Sequence, residues 1–281
     1  MRDIQVSTIT DVVAKLCVDA NYYLPEDVQK ALEDAMAAEE SALGKEILGD
    51  ILKNAEIART NDVPICQDTG LAVFFVELGQ EVHLVGGDFG EAMDEGVRRG
   101  YEAGYLRKST VDDPFMVRKN LGDNTPAIVH LTIVPGDQIK ITFAPKGGGS
   151  ENMSALGMLT ASDGVNGIKK FIVENVEKAG SNPCPPIIVG IGIGGTIEKV
   201  TLLAKKALLR TVGEHHPNPV VADLERELLA QINDLGIGPQ GFGGRTTALA
   251  VHIETFPAHI ASMPVAMNVQ CHVARHKEAI I

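Results

Sequence analysis

The sequence has no tryptophan, and aromatic residues of all kinds make up only 4% of its 281 positions. It also has no apolar stretch approaching the roughly 18 residues that suggest a membrane-spanning helix. From Met1 to Ile4 the chain leads into an amphipathic pattern, without the apolar segment and cleavage site of a secretory signal. These absences predict a cytoplasmic protein that does not cross a membrane.

Positive charge is scarce as well. The sequence carries 25 Lys and Arg against 37 Asp and Glu, a formal net charge of -12. Nucleic-acid binding depends on a basic surface that displaces counterions from the polyanion. We therefore expect no nucleic-acid partner, and solubility is a sufficient explanation for the acidic balance.

Cysteine is infrequent, and a reducing cytoplasm argues against a disulfide framework. The four cysteines are Cys17, Cys66, Cys184 and Cys271. Cys17 lies on the apolar face of a helical pattern that begins at Ile9, where a thiol packs as a small hydrophobic group. We expect Cys17 to be a core residue and leave packing, metal binding and nucleophilic chemistry open for the other three.

Hydrophobic residues make up 44% of the chain, enough to build a sizeable core. Apolar periodicity predicts helices through about residues 1–60, then β-rich segments at 71–85 and a helix to about Gly104. Two strands joined by a tight turn at 135–137 are expected within 128–143. Further on, helices are predicted at 164–177, 197–210 and 221–232, and strands at 187–189 and 247–253. The prediction is an α+β fold, with mixed sheets flanked by helices and a helical N-terminal region, in a single domain 1–281 or two intimately packed lobes.

Three cysteines lie in loops or at the ends of predicted elements. Cys66 is followed by Gln67 and Asp68 in a loop between a helix and a strand. Cys184 lies among three prolines, which fix φ and stiffen the segment before a buried strand. Cys271 follows Gln270. None has a CxxC partner, so spacing alone does not indicate a metal site, and separate structural thiols remain an alternative.

Two glycine-rich segments and one arginine are candidates for binding an anion. Lys146 to Asn152 includes Gly147, Gly148 and Gly149, and such a loop can point backbone N–H groups at a ligand, although a simple flexible turn is the alternative. The loop 236–245 ends at Arg245, for which pairing with a surface carboxylate is expected. Arg107 follows a helix and could hold a carboxylate bidentately, or could be an ordinary surface arginine.

The segment 190–195 matches G-x-G-x-x-G, which is typical of dinucleotide binding. A second strand ending in an acidic residue about 20 positions later is missing, because residues 213–219 read as a loop. The glycines are therefore assigned to close strand–helix packing or to anion contacts at a helix N-terminus. His252 is predicted to be a core histidine, whereas His259, in a loop twelve residues before Cys271, is the better acid/base candidate.

Four motifs in this order carry a family resemblance that spans nearly the whole chain. They are Ile65-Cys66-Gln67-Asp68-Thr69-Gly70, Lys146-Gly147-Gly148-Gly149-Ser150-Glu151-Asn152, Pro183-Cys184-Pro185-Pro186 and Val269-Gln270-Cys271-His272. Together they resemble the α subunit of class I fumarate hydratases and of the related tartrate dehydratases. In that order the motifs are far more specific than any one of them alone.

The resemblance implies a 4Fe-4S cluster held by Cys66, Cys184 and Cys271, with one iron left open as a Lewis acid for the departing hydroxide. It implies a dicarboxylate substrate, and Asp68 and His259 as the acid/base pair. Substrate binding falls to Gln67, Arg107, Lys146, Gly148 and Gly149. Cys17 matches no cluster motif.

Single-chain members of the family continue into a second domain, whereas this sequence stops ten residues after Cys271. A separate β subunit and an α2β2 assembly are therefore expected. Reversible hydration of fumarate to malate is the expected reaction, and tartrate dehydration is the alternative within the same chemistry. Two other classes remain open: a nicotinamide-binding oxidoreductase built on 190–195, and a zinc-binding or scaffolding subunit using three cysteines and a histidine.

Overall fold

The computed structural model describes all residues 1–281 and divides into two compact units. Unit 1 comprises Met1–Leu24, Asn54–Gly148 and Arg275–Ile281, and unit 2 comprises Pro25–Lys53 and Gly149–Ala274. Each unit contains a four-stranded mixed sheet with helices beside it. The predicted α+β class with mixed sheets is confirmed. None of the helices combines the length and apolar composition needed to span a bilayer.

The predicted helical N-terminal region is also confirmed, although a short strand precedes it. Strand β1 (Arg2–Gln5) leads into α1 (Val6–Tyr22), followed by α2 (Glu26–Ala38) and α3 (Ala42–Asn61). Glu26 and Asp27 in the first turn of α2 suit its helix dipole.

Unit 1 is built on a sheet with strand order β10-β5-β2-β4. Its further elements are β2 (Leu71–Gly79), β3 (Val82–Val85), α4 (Phe89–Ala103), β4 (Ile128–Val134), β5 (Ile139–Lys146) and β10 (Lys277–Ile280). Strand β2 pairs in parallel with β4 and antiparallel with β5, while β1 and β3 form a separate parallel pair. The rings of Phe74 and Phe143 pack 4.8 Å apart in the core.

Cys17 is fully buried in the core of unit 1, as its place on the apolar face of α1 predicts. Burial raises the pKa of its thiol strongly, because the charged thiolate is not solvated there. Cys17 is therefore an inert packing residue, unlike the more accessible cysteines described below.

The two strands expected within 128–143 are present, but the structure corrects their pairing. Strand β2 lies between β4 and β5, so the turn that joins β4 to β5 passes the end of β2. Gln80 N donates to Val134 O at 2.8 Å, and Glu81 N donates to Gly136 O at 3.0 Å. A Cβ at Gly79 would lie 2.4 Å from Gly136 O. Sequence alternation identifies strands but not their neighbours, and the apolar β2 takes the central place.

Unit 2 is built on a second sheet with strand order β6-β9-β7-β8. Its elements after α2 and the first part of α3 are α5 (Gly148–Glu151), β6 (Ala155–Leu159), α6 (Gly164–Ala179), β7 (Ile187–Gly194), α7 (Ile197–Ala207), α8 (Pro219–Asn233), β8 (Ala248–Phe256) and β9 (Met263–Gln270). Strands β7 and β8 are parallel, whereas β9 runs antiparallel to both β7 and β6. Strands β6, β9 and β10 were not predicted.

The glycines at 190–195 allow α7 to approach β7 closely. A Cβ at Gly190 would lie 2.2 Å from Ala204 O, and a Cβ at Gly192 would lie 2.1 Å from Val200 O. Any side chain at these two positions would force the helix away from the strand. The prediction of close strand–helix packing is confirmed, and the G-x-G-x-x-G match has a structural explanation.

A buried carboxylate holds the second glycine-rich loop, 236–245, within unit 2. Glu39 is 2% exposed and accepts backbone N–H groups from Glu40 at 2.9 Å, Ser41 at 3.0 Å and Arg245 at 2.8 Å. The Arg245 guanidinium pairs with Glu40 at 2.8 Å, as expected of a surface arginine. Burial acts to raise the pKa of Glu39, but the N–H donors outweigh it, and the net pKa lies below its usual value.

Glu39→Gln is expected to lower the free energy of unfolding by about 2 kcal/mol at neutral pH, because N–H groups lose a charged acceptor. Urea denaturation of the two proteins measures the difference. The pKa of Glu39 is depressed on folding, so its contribution is complete above the ordinary value of 4.5 and is lost as the pH falls through the folded-state value. Glu40→Gln, at an exposed neighbour, is the control. If the difference in the free energy of unfolding between Glu39→Gln and the parent did not depend on pH, this role of Glu39 would be contradicted. An equal loss of stability in Glu40→Gln would contradict it as well.

Candidate functional site

The loop that carries Cys66 lies between α3 and β2, as predicted. The Cys66 thiol is half-buried, and Asp68 N donates to its Sγ at 3.4 Å. Gln67 is exposed, with its Oε1 3.4 Å from the same sulfur. An N–H group directed at sulfur stabilises the thiolate, the form that binds metals.

Asp68 joins this loop to the glycine-rich segment at the end of β5. Its Oδ1 accepts from Gly70 N at 3.0 Å, and its Oδ2 accepts from Gly148 N at 2.9 Å. A carboxylate that accepts a backbone N–H at each oxygen is held in one orientation. The structure thus brings together two of the predicted site residues, Asp68 and Gly148, which are 80 positions apart.

Arg107 and Lys146 lie beside the same loop. Arg107 N donates to Thr69 Oγ1 at 2.9 Å, and that hydroxyl donates to Arg107 O at 3.2 Å. The Arg107 side chain is exposed and forms no ion pair with a carboxylate of the chain. Lys146 is buried and pairs in register with Leu71, the first residue of β2. Within unit 1, therefore, six predicted site residues lie in or next to one loop: Cys66, Gln67, Asp68, Arg107, Lys146 and Gly148.

Three buried residues that sequence reasoning missed support this loop from within unit 1. Tyr101 Oη donates to Thr69 O and to Gly70 O, both at 3.0 Å. Asn124 Nδ2 donates to Gly70 O at 3.2 Å, and Arg275 Nη2 donates to Asp68 O at 2.7 Å. Tyr101, Asn124 and Arg275 lie far apart in the sequence, in no recognisable motif, so no local signal identifies them.

In unit 2, Cys184 occupies an unusual backbone conformation. Its φ is +56°, a value that non-glycine residues rarely adopt, and its N–H donates to Ser181 O at 3.0 Å. The residue is exposed, immediately before the buried strand β7. Backbone strain of this kind is concentrated at functional sites, where the surrounding structure maintains it.

The structure brings the loops of Cys184 and Cys271 together. His272 N donates to Cys184 O at 3.3 Å, and His272 Nδ1 lies 2.9 Å from the same carbonyl oxygen. Gln240 Nε2 donates to Pro185 O at 2.8 Å and lies 3.0 Å from His272 Nδ1. Sequence reasoning missed the roles of Gln240 and His272, although both lie in segments it singled out. Together they connect the backbones on which two predicted ligands are carried.

His259 lies apart from the two cysteines of unit 2, in the exposed loop between β8 and β9. It borders a cavity of about 520 Å³, whose other lining residues include Met158, Thr196, Lys199, Phe256 and Ser262. Ala261 N donates to His259 Nδ1 at 3.1 Å. Because Nδ1 accepts this bond, the proton of the neutral ring lies on Nε2, and the ring offers a donor to a ligand.

His252, by contrast, is a core residue, as predicted. It is 1% exposed, and burial together with the nearby charge of Arg210 lowers its pKa to about 4. A neutral histidine in the core has no access to a ligand.

The three cysteines offer a donor set whose chemistry suits an iron–sulfur cluster. Thiolates are the usual protein ligands of such clusters, and Cys66, Cys184 and Cys271 are all more accessible than Cys17. No group of three or more His, Cys, Asp or Glu side chains converges on a position for one metal ion. A cluster binds its thiolates at different iron atoms and does not require such convergence.

Comparison with known proteins places the chain in a family. The model of the family described as fumarate hydratase (Fumerase) matches residues 10–280. The chain belongs to the fumarate hydratase (Fumerase) family. The resemblance drawn from the four motifs is thereby confirmed, and all four lie within the matched residues.

Two relatives of this chain are named for the same activity. The chain is 46% identical over 276 residues to a putative L(+)-tartrate dehydratase subunit alpha of Methanocaldococcus jannaschii, covering 95% of each chain. It is 33% identical over 278 residues to the L(+)-tartrate dehydratase subunit alpha of Escherichia coli K12, covering 98% of this chain and 91% of the relative.

Proposed function

We propose that this chain is the α subunit of an iron–sulfur hydro-lyase that dehydrates a hydroxy-dicarboxylate, with L(+)-tartrate as the preferred substrate. The observation that carries the proposal is the Cys66–Asp68 loop, where a thiol lies two residues before a carboxylate held by Gly70 and Gly148. Family membership supports the reaction class, and the names of the relatives support tartrate.

A 4Fe-4S cluster is proposed to bind to Cys66, Cys184 and Cys271, as the motifs imply. The thiol donors and the N–H group at Cys66 Sγ support this assignment. When bound, the cluster would supply a Lewis acid for the hydroxyl group that leaves the substrate. The chain's own side chains must then handle the proton and hold the carboxylates.

Asp68 is proposed as the base. Its two oxygens each accept one N–H group and keep further lone pairs, so the carboxylate can take the proton from the carbon next to the one that loses hydroxide. His259 is proposed as the proton donor, since its Nε2–H remains available while Nδ1 accepts from Ala261. Because His259 lies apart from Cys184 and Cys271 within unit 2, this role requires that the α2β2 assembly bring its loop to the substrate. Loss of one proton and one hydroxide from tartrate balances as water and leaves an enol, which rearranges to the 2-oxo acid.

The substrate carboxylates are proposed to bind to Arg107, Lys146, Gln67 and the glycine-rich segment at Gly148 and Gly149, where the Gly148 N–H itself donates to Asp68. Arg107 has an exposed guanidinium without an acidic partner, which suits bidentate binding of a carboxylate. Gln67 is exposed next to Cys66 and can donate its amide group to the substrate hydroxyl.

A separate β subunit is proposed as the partner, in an α2β2 assembly in the cytoplasm. The relatives' names designate alpha subunits, which supports the need for a second chain. The β subunit would complete the substrate pocket.

Hydration of fumarate to malate is the second candidate, and the description of the matching family supports it. The test is anaerobic reconstitution with the β subunit, followed by parallel assays of L-tartrate, malate and fumarate. We expect kcat/KM for L-tartrate to exceed that for the other two by about tenfold or more, a difference of 1.4 kcal/mol in transition-state binding. The reverse order would establish fumarate, and no turnover of any of the three would refute the hydro-lyase proposal.

A further inference from the structure

Arg275 is a buried cation without a counter-ion. Only 5% of the residue is exposed, and it forms no ion pair with any Asp or Glu. Its Nη2 donates to Asp68 O at 2.7 Å, while its Nε is buried without a hydrogen-bond partner. Burying an unpaired charge costs free energy, so the presence of an arginine at this buried position calls for an explanation.

No neighbouring side chain forms an ion pair or a hydrogen bond with this charge. Tyr101 is buried, and its pKa is raised well above its usual value, first by burial and further by Cys17 and Asp68, while Arg275 opposes the shift. Its neutral hydroxyl already donates to Thr69 O and Gly70 O. The Asp68 carboxylate accepts from Gly70 and Gly148, and only its backbone carbonyl contacts Arg275.

The charge also lies next to the predicted chemistry. The carbonyl that Arg275 holds belongs to Asp68, which is two residues from Cys66 and one from Gln67. Arginine keeps its charge at all accessible pH values, and a charge in a poorly hydrated environment acts over a longer range than one in water. Arg275 therefore places a positive charge beside the Cys66–Asp68 loop, where it offsets the negative charge of the Asp68 carboxylate without forming an ion pair with it.

We propose that Arg275 is a positioning residue for an anionic ligand: it fixes the Asp68 loop through the Asp68 carbonyl, and its unpaired charge offsets that of the Asp68 carboxylate, which would otherwise repel a substrate carboxylate from that loop. The guanidinium itself is too buried to touch the substrate. The proposal rests on the proposed function, since it takes the ligand to be a dicarboxylate.

Two substitutions separate charge from structure. Arg275→Lys keeps the charge, whereas Arg275→Met keeps the length and apolar bulk without it. Arg59→Gln is the control, because Arg59 is an exposed arginine of the same unit that forms no ion pair. Each protein is prepared as the assembled complex with the β subunit, and its iron content is measured.

Isothermal titration with succinate, a dicarboxylate that cannot be dehydrated, measures affinity, and thermal unfolding without ligand measures stability. We expect Arg275→Met to bind succinate about tenfold more weakly at low salt, with Arg275→Lys within about threefold of the parent and Arg59→Gln unchanged. We also expect Arg275→Met to unfold at the same temperature as the parent or higher, because removing an unpaired buried charge relieves a cost.

A purely structural arginine would give the opposite pattern. Arg275→Met would then fail to fold or would unfold at a lower temperature, with Arg275→Lys weakened to a similar degree, and this result would overturn the inference. Unchanged succinate binding in Arg275→Met would also overturn it, while leaving the proposed function intact. If the parent complex turns over none of the three substrates and binds no succinate, the proposed function fails and the inference fails with it.

Discussion

Replacing Cys66, Cys184 or Cys271 by serine is expected to abolish the bound iron and to reduce hydro-lyase activity by a factor on the order of a thousand or more. A Lewis-acid metal supplies several kcal/mol of stabilisation to a departing oxygen, and each 1.36 kcal/mol corresponds to tenfold in rate. Serine is a poor ligand for the iron of such a cluster, which selects thiolates. Iron and sulfide analysis of the anaerobically reconstituted complex, with turnover of L-tartrate, malate and fumarate, measures both effects.

Cys17→Ala is the matched control for these three substitutions. Its thiol is fully buried between helices of unit 1, so the change removes packing at a cost of about 1 kcal/mol of stability and leaves the iron content unchanged. Full iron content and activity in any one of the three serine variants would show that the cysteine concerned is not a ligand. Loss of iron in Cys17→Ala would show that iron content reports folding and not ligation.

Asp68→Asn is expected to lower kcat by about 10² to 10⁴-fold while the iron content stays close to that of the parent. The Asn amide has the size of the Asp68 carboxylate but is not basic enough to accept a proton from the substrate. It also turns an NH2 group towards one of the two N–H donors, Gly70 N or Gly148 N, so the loop loses one hydrogen bond. Steady-state kinetics and metal analysis on the same samples separate the chemical effect from the structural one.

Asp137→Asn serves as the control for this experiment. Asp137 is exposed in the turn between β4 and β5. Its replacement by Asn removes the same charge from the same unit. We expect it to leave kcat unchanged. If Asp68→Asn retained full kcat, another group would have to be the base, and if it lost iron and activity together, Asp68 would be a structural residue.

Much of the fold follows from local sequence patterns, but the pairing of strands does not. The spacing of Ile9, Val13 and Leu16 predicts α1 because a helix buries one face. Strand β9 escaped prediction because it is buried on both faces and carries Pro264 and Asn268, so it shows neither alternation nor a clean apolar run. The central position of β2 between β4 and β5 depends on the whole sheet, which no window of the sequence contains.

The candidate site could likewise be predicted from the sequence only in part. Prolines and glycines around Cys66 and Cys184 mark loops, so the placement of both residues outside helices and strands was predictable. The family resemblance assigned Asp68 and Gly148 to one site, but the hydrogen bond between them was not predicted, because nothing in either segment indicates the other. Tyr101, Asn124 and Arg275 carry no such signal, because their hydrogen bonds to the loop depend on tertiary packing.

The strand order of unit 1 has a consequence for biosynthesis. Strand β10 pairs with β5, yet more than a hundred residues of unit 2 are translated between them. During synthesis from the N-terminus, β2, β4 and β5 therefore leave the ribosome well before β10, the fourth strand of their sheet. Until β10 has been synthesised, the edge of β5 that it covers stays unpaired. Arg275 arrives on that same late segment, so the loop around Asp68 acquires its final support only after unit 2 has been synthesised.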